Sequence, residues 1–542
     1  MQSKTNSPQS VSIDQRTALS RLVSWTEGRT GISGFTRKAL RKVFPDHWSY
    51  LIGEVCLYSF FILIVTGIFL SFFFQPSLNQ VQYHGSYEPL AGSRVPESYA
   101  SILRISFDVR GGLLVRQIHH WSSLVFVSAI FVHMLRVFFT GAFRKPREMN
   151  WLIGFGLLVL AMVESYLGNL LPGDLLAGTG LVVLNGYLLS LPIVGTYLSM
   201  FVFGGSFPGT DYVERFYSLH ILLLPGIMVG LVVVHMVLVV VHGHAQYPGP
   251  GRTEKNVVGK PLFPAYFVRV TGFFFLYCGF MTIIAACAQI NPVWDNGPYR
   301  PDQVSAGSQP DWYMGFADGL VRIMPGWEIN LWGHTLIPGV LIPLMGFGVI
   351  LLSIGLYPLI EAWVTDDPLH RHLLDRPRNN PVRTALGAAW ISVYLVLLAA
   401  GGNDIIATRF DLSIESIIWT SRVCFFSVPV IVFIFTKRWA LGLQRADRDL
   451  VLHARESGTI RRLTHGEYVE IHAPLSKETL YKLTSHHQPS PLSRVEMTGR
   501  GKLAGISASV RVSLSEFLYG PASHIPKPTR EEYDEAHATR VE

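Results

Sequence analysis

Eight predominantly apolar runs, each at or near the length a bilayer demands, decide what this 542-residue chain can fold into. They lie at approximately 48–74, 113–140, 150–171, 216–241, 267–288, 334–360, 383–401 and 417–436. A helix needs about 20 such residues to cross the hydrocarbon core. The expectation is an all-α polytopic membrane protein with eight transmembrane helices. Composition agrees: only 15% of residues are charged, against about 25% in a soluble domain. A further apolar stretch, 175–203, is broken by Gly178, Gly180, Gly186, Pro192 and Gly195. It suits a pair of short helices at the membrane surface.

The net charge of +7 sits largely in a few loops and at the two ends. Arg37, Lys38, Arg41 and Lys42 precede the first run. Arg144, Lys145 and Arg147 lie between the second and third. Arg252, Lys255 and Lys260 separate the fourth and fifth, Arg371, Arg376, Arg378 and Arg383 the sixth and seventh. Lys437 and Arg438 follow the eighth. With eight crossings all of these fall on one side, and basic loops stay cytoplasmic. Both termini are therefore expected in the cytoplasm, with no nucleic-acid partner. The N-terminus lacks the apolar core and cleavage site of a secretory signal. Cys56, Cys278, Cys287 and Cys424 form no C-x-x-C and no covalent haem motif, and read as small buried hydrophobes.

Histidine is costly inside a bilayer and marks function by default. The second run carries His119 and His133, 14 residues apart; the fourth carries His220 and His235, 15 apart. At about 100° per residue, 14 residues fall about 40° short of whole turns and 15 overshoot by about 60°. Each pair thus lies on roughly one face, its members ~21–23 Å apart along the axis. Both helices run in the same direction, so His119 meets His220 at an outer level and His133 meets His235 at an inner one. Each level can hold an iron porphyrin between two imidazoles, which has no position left for oxygen and serves electron transfer. The first four helices then form a dihaem bundle. His120 falls on the opposite face and is assigned no iron. Four unrelated histidines bonded to neighbouring helices would not produce matched spacings.

Arg116, Arg136 and Arg215 flank these histidines and suit anionic propionates, with snorkelling at the membrane edge as the plainer role. Gly53 and Gly67 on the first run, and Gly154 and Gly168 on the third, repeat the 14-residue interval. Glycine lets a flat macrocycle approach a helix backbone.

Together these residues resemble cytochrome b of bc1 and b6f complexes over roughly 45–440. The stretch RFYSLHILLLPG (215–226) is similar to the b6 type. Pro310, Asp311, Trp312 and Tyr313 resemble the PEWY motif of the outer quinol-oxidation pocket, with aspartate in place of glutamate. GNLLPGDLLAGTG (168–180) is similar to the G-Y-x-L-P stretch beside that pocket, with Asn169 where an aromatic is usual. The loop QVSAGSQPDWY and the C-terminal extension resemble actinobacterial cytochrome b.

The resemblance implies two bis-histidine b haems, a quinol substrate of menaquinol type, and quinol–cytochrome c reductase activity coupled to proton translocation. One electron leaves through a Rieske-type iron–sulfur protein; the other crosses the two haems to an inner quinone site. Asp311 is the implied proton acceptor and Tyr313 shapes the pocket. The implied partners are a dihaem cytochrome c, an aa3-type oxidase in a supercomplex, and a second copy of the complex, in a bacterial plasma membrane. Asp318, seven residues after Asp311, is either a proton relay or a solvated side chain. His242 and His244 lie at the depth of the inner quinone site, but solvated loop histidines are the simpler reading.

The expected organisation is an N-terminal cytoplasmic segment (1–47), a dihaem domain (48–260), a C-terminal membrane domain with the quinol loop (261–436) and a cytoplasmic extension (437–542). The extension shows no catalytic constellation, and its histidines are expected on the surface. The competing readings are a haem-b anchor of another quinone-linked dehydrogenase, a transmembrane ferric reductase, and a haem-free transporter.

Overall fold

A computed structural model describes residues 18–303, 307–493 and 502–538. Residues 304–306, within the loop QVSAGSQPDWY, lie outside the described residues. Eight helices are long and apolar enough to span: Trp48–Ser71, Gly112–Phe139, Glu148–Leu170, Tyr212–His242, Leu262–Cys287, Pro338–Thr365, Pro381–Gly401 and Ile414–His453. The chain is a polytopic helical membrane protein, as the apolar runs predict. Large side chains on the outward faces stay apolar, as lipid requires: Leu222, Leu276 and Phe426 are each about three-quarters exposed. The four sheets among the described residues are two-stranded and lie outside the spans.

The first span packs on the second, the second on the third, and the third on the fourth. The seventh packs along the eighth, and a short helix, Trp312–Ile323, lies against the seventh. That short helix drives Tyr313, Phe316 and Leu320 into the same core as Phe126, Ile130, Leu158 and Met228 of the first four spans. The stretch expected as two surface helices forms Leu175–Leu189 and Gly195–Phe203. Asp174 caps the first of them by accepting from the Ala177 N–H, and accepts from Asn296 Nδ2 at 2.7 Å.

Loop contacts bear out the crossing order. At the basic, inner end, Arg144 donates to the Leu373 carbonyl and pairs with Asp375, Arg147 donates to the Arg371 carbonyl, and Glu254 accepts from the His372 N–H. At the opposite, outer end, Arg116 donates to the Asn291 carbonyl, Tyr187 to the Ala317 carbonyl, and Gln309 to Asp404.

The eighth helix corrects its expected end at 436. It runs 40 residues to His453, about 60 Å at the rise of an α-helix and roughly twice the hydrocarbon thickness. Hydropathy falls where lipid ends, whereas RADRDLVLH continues to favour helix. The extension beyond it folds back on its own chain. Arg511 pairs with Asp366 at 3.2 Å, Leu518 and Tyr519 pack on Val364 and Val382, and Tyr481 donates to the Arg252 carbonyl. His487 lies 3.6 Å from Asp367, so this histidine is not simply a surface residue as expected.

Arg383 anchors the inner ends of the sixth and seventh helices. It is 3% exposed and bonds Glu361 at 3.1 Å and Asp375 at 2.8 Å. Removing one partner of a buried ion pair leaves uncompensated charge, at a cost of about 3–5 kcal/mol. Arg383→Ala is expected to lower the thermal midpoint of the detergent-purified protein accordingly.

Candidate functional site

The two histidine levels become two cavities inside the first four helices. The outer cavity, about 310 Å3, is lined by His119, His220, Gly67, Gly168 and Arg116. The inner cavity, about 230 Å3, is lined by His133, His235, Gly53, Gly154 and Arg136. The outer imidazole rings stand 6.3 Å apart, centre to centre, at an interplanar angle of 76°. Two metal–nitrogen bonds of about 2 Å each, plus half an imidazole on either side, come to about 6 Å. Among the described residues no group of three or more His, Cys, Asp or Glu side chains could hold a bare metal ion. Paired imidazoles in roomy apolar chambers instead fit an iron that arrives with four ligands of its own.

The unequal spacings have a structural cause. The fourth span contains a π turn, Leu219–Leu223, two residues before Pro225. Pro225 has no N–H to bond the carbonyl one turn back, and a π turn accommodates one extra residue per helix. The 15-residue interval therefore aligns like the 14-residue one, with His220 inside the widened turn.

Each glycine faces an imidazole at its own level. A Cβ would lie 3.3 Å from His133 Cε1 at Gly53, 3.3 Å from His119 Cε1 at Gly67, 3.5 Å from His235 Cε1 at Gly154, and 2.7 Å from His220 Cε1 at Gly168. The clearance thus serves the ring of the neighbouring helix as well as anything bound beside it.

The arginines divide. Arg116 is buried, with Nη2 on the Asn291 carbonyl at 2.7 Å and Nη1 without a partner. Arg136 leans over the Tyr50 ring at 4.3 Å, with Nε and Nη2 buried and unpartnered. Both line a cavity and retain donors for an anion. Arg215 is not among the residues lining the outer cavity: it donates to the Phe201 carbonyl and lies 4.0 Å from Asp211. His120, expected on the far face, also lines the outer cavity.

The Pro310–Tyr313 loop meets the outer cavity through Asn169, which lines it. Asn169 Nδ2 donates to Asp311 Oδ2, and the Tyr313 hydroxyl donates to the same oxygen at 2.8 Å. Tyr313 is fully buried, and Ser165 of the third span lies against its hydroxyl. Burial pushes the Asp311 carboxyl above its ordinary range, and the hydrogen bonds from Tyr313 and Asn169 pull it partway back. Trp312 packs beside Phe131 and accepts a bond at its carbonyl from the Tyr394 hydroxyl at 2.9 Å. Asp318 is half-buried and paired: Arg322 Nε holds it at 2.7 Å, and Arg322 also pairs with Asp404.

Comparison with known proteins places this architecture. Residues 124–298 match the family model described as cytochrome b (N-terminal)/b6/petB. A cytochrome bc1 complex cytochrome b subunit of Streptomyces coelicolor is 59% identical over 518 residues, covering 95% of each chain. Its Mycobacterium bovis counterpart is 49% identical over 461 residues, 85% of this chain and 83% of its own. The chain belongs to the family of bc1-complex cytochrome b subunits. A solved structure titled "Hyperthermophilic respiratory Complex III" shares the fold, with TM-score 0.55 at 20% identity over 76% of this chain and 99% of its own.

One residue of the site escaped the sequence reading, and another was set aside there. Glu164, on the third span, lies 2.9 Å from His220 Nδ1. A carboxylate within an apolar run was the available signal. His244 is no solvated loop residue. It faces the inner cavity, its ring 4.5 Å from Phe44 and 5.9 Å from Tyr50, and burial pushes its pKa down to about 3. His242 does not line that cavity.

Proposed function

We propose that this chain is the quinol-oxidising subunit of a quinol–cytochrome c reductase, with two b haems on His119–His220 and His133–His235. The supporting observation is the pair of stacked cavities, each flanked by one imidazole from the second span, one from the fourth, and glycines from the first and third. Family membership implies haem b, and the donor set fits it: two imidazoles and an arginine with unpartnered donors at each level, with no bare-metal cluster among the described residues. When bound, the haems supply one-electron transfer across the membrane.

The chain's own residues supply the rest. Gly53, Gly67, Gly154 and Gly168 keep backbone close to the ring edges. Arg116 and Arg136 offer paired N–H donors to propionates. Asp311 takes a proton from a quinol hydroxyl, of menaquinol type, at the outer end. Tyr313 and Asn169 both address Oδ2, which leaves Oδ1 for the substrate. Asp311 thereby acts as the base, Trp312 and Pro310 walling the pocket. His244 lines the inner cavity beside the inner haem level, next to which a quinone is reduced. The partners are a Rieske-type iron–sulfur protein and a cytochrome c subunit, with an aa3-type oxidase alongside. The setting is a bacterial plasma membrane with both termini cytoplasmic.

The test is a reduced-minus-oxidised spectrum of the purified complex, with quinol-driven reduction of cytochrome c. Two b haems per chain and quinol-dependent turnover are expected; a colourless chain would sink the reading. Gly168→Ala gives a sharper check. Its Cβ would meet His220 at 2.7 Å, whereas at Gly53 the nearest ring atom is 3.3 Å away. Gly168→Ala is expected to lose or perturb the outer haem alone, and Gly53→Ala to do much less at the inner level.

A further inference from the structure

The two histidine levels are not held alike. His220 Nδ1 lies 2.9 Å from Glu164 Oε1 and 3.2 Å from the Glu164 backbone carbonyl oxygen. Glu164 sits one turn before Gly168, whose missing side chain admits the same imidazole, and it lines the outer cavity. Its second oxygen, Oε2, is buried without a partner. His119 Nδ1 lies 2.9 Å from Thr66 Oγ1. The Thr66 hydroxyl donates to the Ile62 carbonyl at 2.6 Å, so it accepts from His119. At the inner level, Nδ1 of His133 and of His235 is buried and meets no side-chain acceptor.

An imidazole that gives Nε2 to iron keeps its remaining proton on Nδ1, so the Glu164 oxygen is the acceptor. A carboxylate on the far nitrogen fixes the tautomer and ring orientation and makes the ligating nitrogen a stronger donor. Stronger donation favours the ferric state and lowers the reduction potential. A carboxylate inside a bilayer is costly and is kept for a function.

We propose that Glu164 is a positioning residue for His220, orienting the outer iron ligand and lowering the potential of the outer haem. This rests on the bis-histidine reading above.

The test is a redox titration of the b haems in the purified complex carrying Glu164→Gln, with Glu164→Asp as the conservative variant. In Glu164→Gln the low-potential component is expected to become about tenfold easier to reduce, equivalent to 59 mV for one electron, while the high-potential component stays put. Glu164→Asp, which keeps the charge, is expected to fall between wild type and Glu164→Gln. Where Glu164→Gln fails to retain its outer haem, Glu164→Asp gives the reading alone: a displaced low-potential component upholds the assignment. Two haems with both potentials unmoved, or both moved equally, would overturn it. A wild-type complex without b haem would instead overturn the ligand reading beneath it.

Discussion

His220→Ala is expected to reduce the haem content from two per chain to one or none, and to abolish quinol-driven reduction of cytochrome c. The geometry gives the reason. His119 and His220 face each other at 6.3 Å between ring centres, across a cavity to which the fourth span brings no second imidazole. Alanine leaves one imidazole and an open space beside Gly168. Any haem still held there would have an open coordination position and become reactive toward carbon monoxide, which a bis-histidine site is not. The carbon monoxide difference spectrum therefore separates loss of the haem from loss of the ligand. His120→Ala is the control, since His120 lines the same cavity but His119 faces the partner ring. Two haems in the His220→Ala protein, both inert to carbon monoxide, would remove His220 from the iron.

Much of this site is legible in the sequence because it depends on helical periodicity. His119, His133, Gly53, Gly67, Gly154 and Gly168 each sit on an uninterrupted helix, so counting residues places them at the right depth and face. The fourth span needs more than counting. Its extra residue is absorbed by the π turn at Leu219–Leu223, and Pro225 together with the odd interval was the visible trace. Features that depend on a neighbour's side chain were out of reach. Arg215 looks like a haem-flanking arginine in sequence, but the Phe201 carbonyl and Asp211 claim it. The Arg322 partner of Asp318 could not be read from the seven-residue spacing. Glu164 and His244 acquire meaning only from the cavities they face. The end of the eighth helix was missed because hydropathy reports lipid and not backbone conformation.

Asp311→Asn is expected to slow quinol oxidation by about 10²- to 10⁴-fold, the usual worth of a positioned general base, while both haems remain and are reduced normally by dithionite. The amide keeps the shape and can still accept from Tyr313 and Asn169, but it cannot take the quinol proton. The carboxyl is pushed up by burial and pulled partway back by those two donors. Only its ionised form accepts a proton, so turnover must rise with pH through the carboxyl's raised pKa and fall as acid protonates it. Hydrogen bonds to a carboxylate favour the charged form. Removing one in Asn169→Leu should therefore raise the pKa further and move the acid limb of the pH–rate profile to higher pH, with the alkaline rate largely kept. An acid limb that stays in place in Asn169→Leu, or a full rate in Asp311→Asn, would transfer the proton-accepting role to another group. Tyr313 could not inherit it, because its hydroxyl is itself held in the protonated form by burial and by the Asp311 carboxylate.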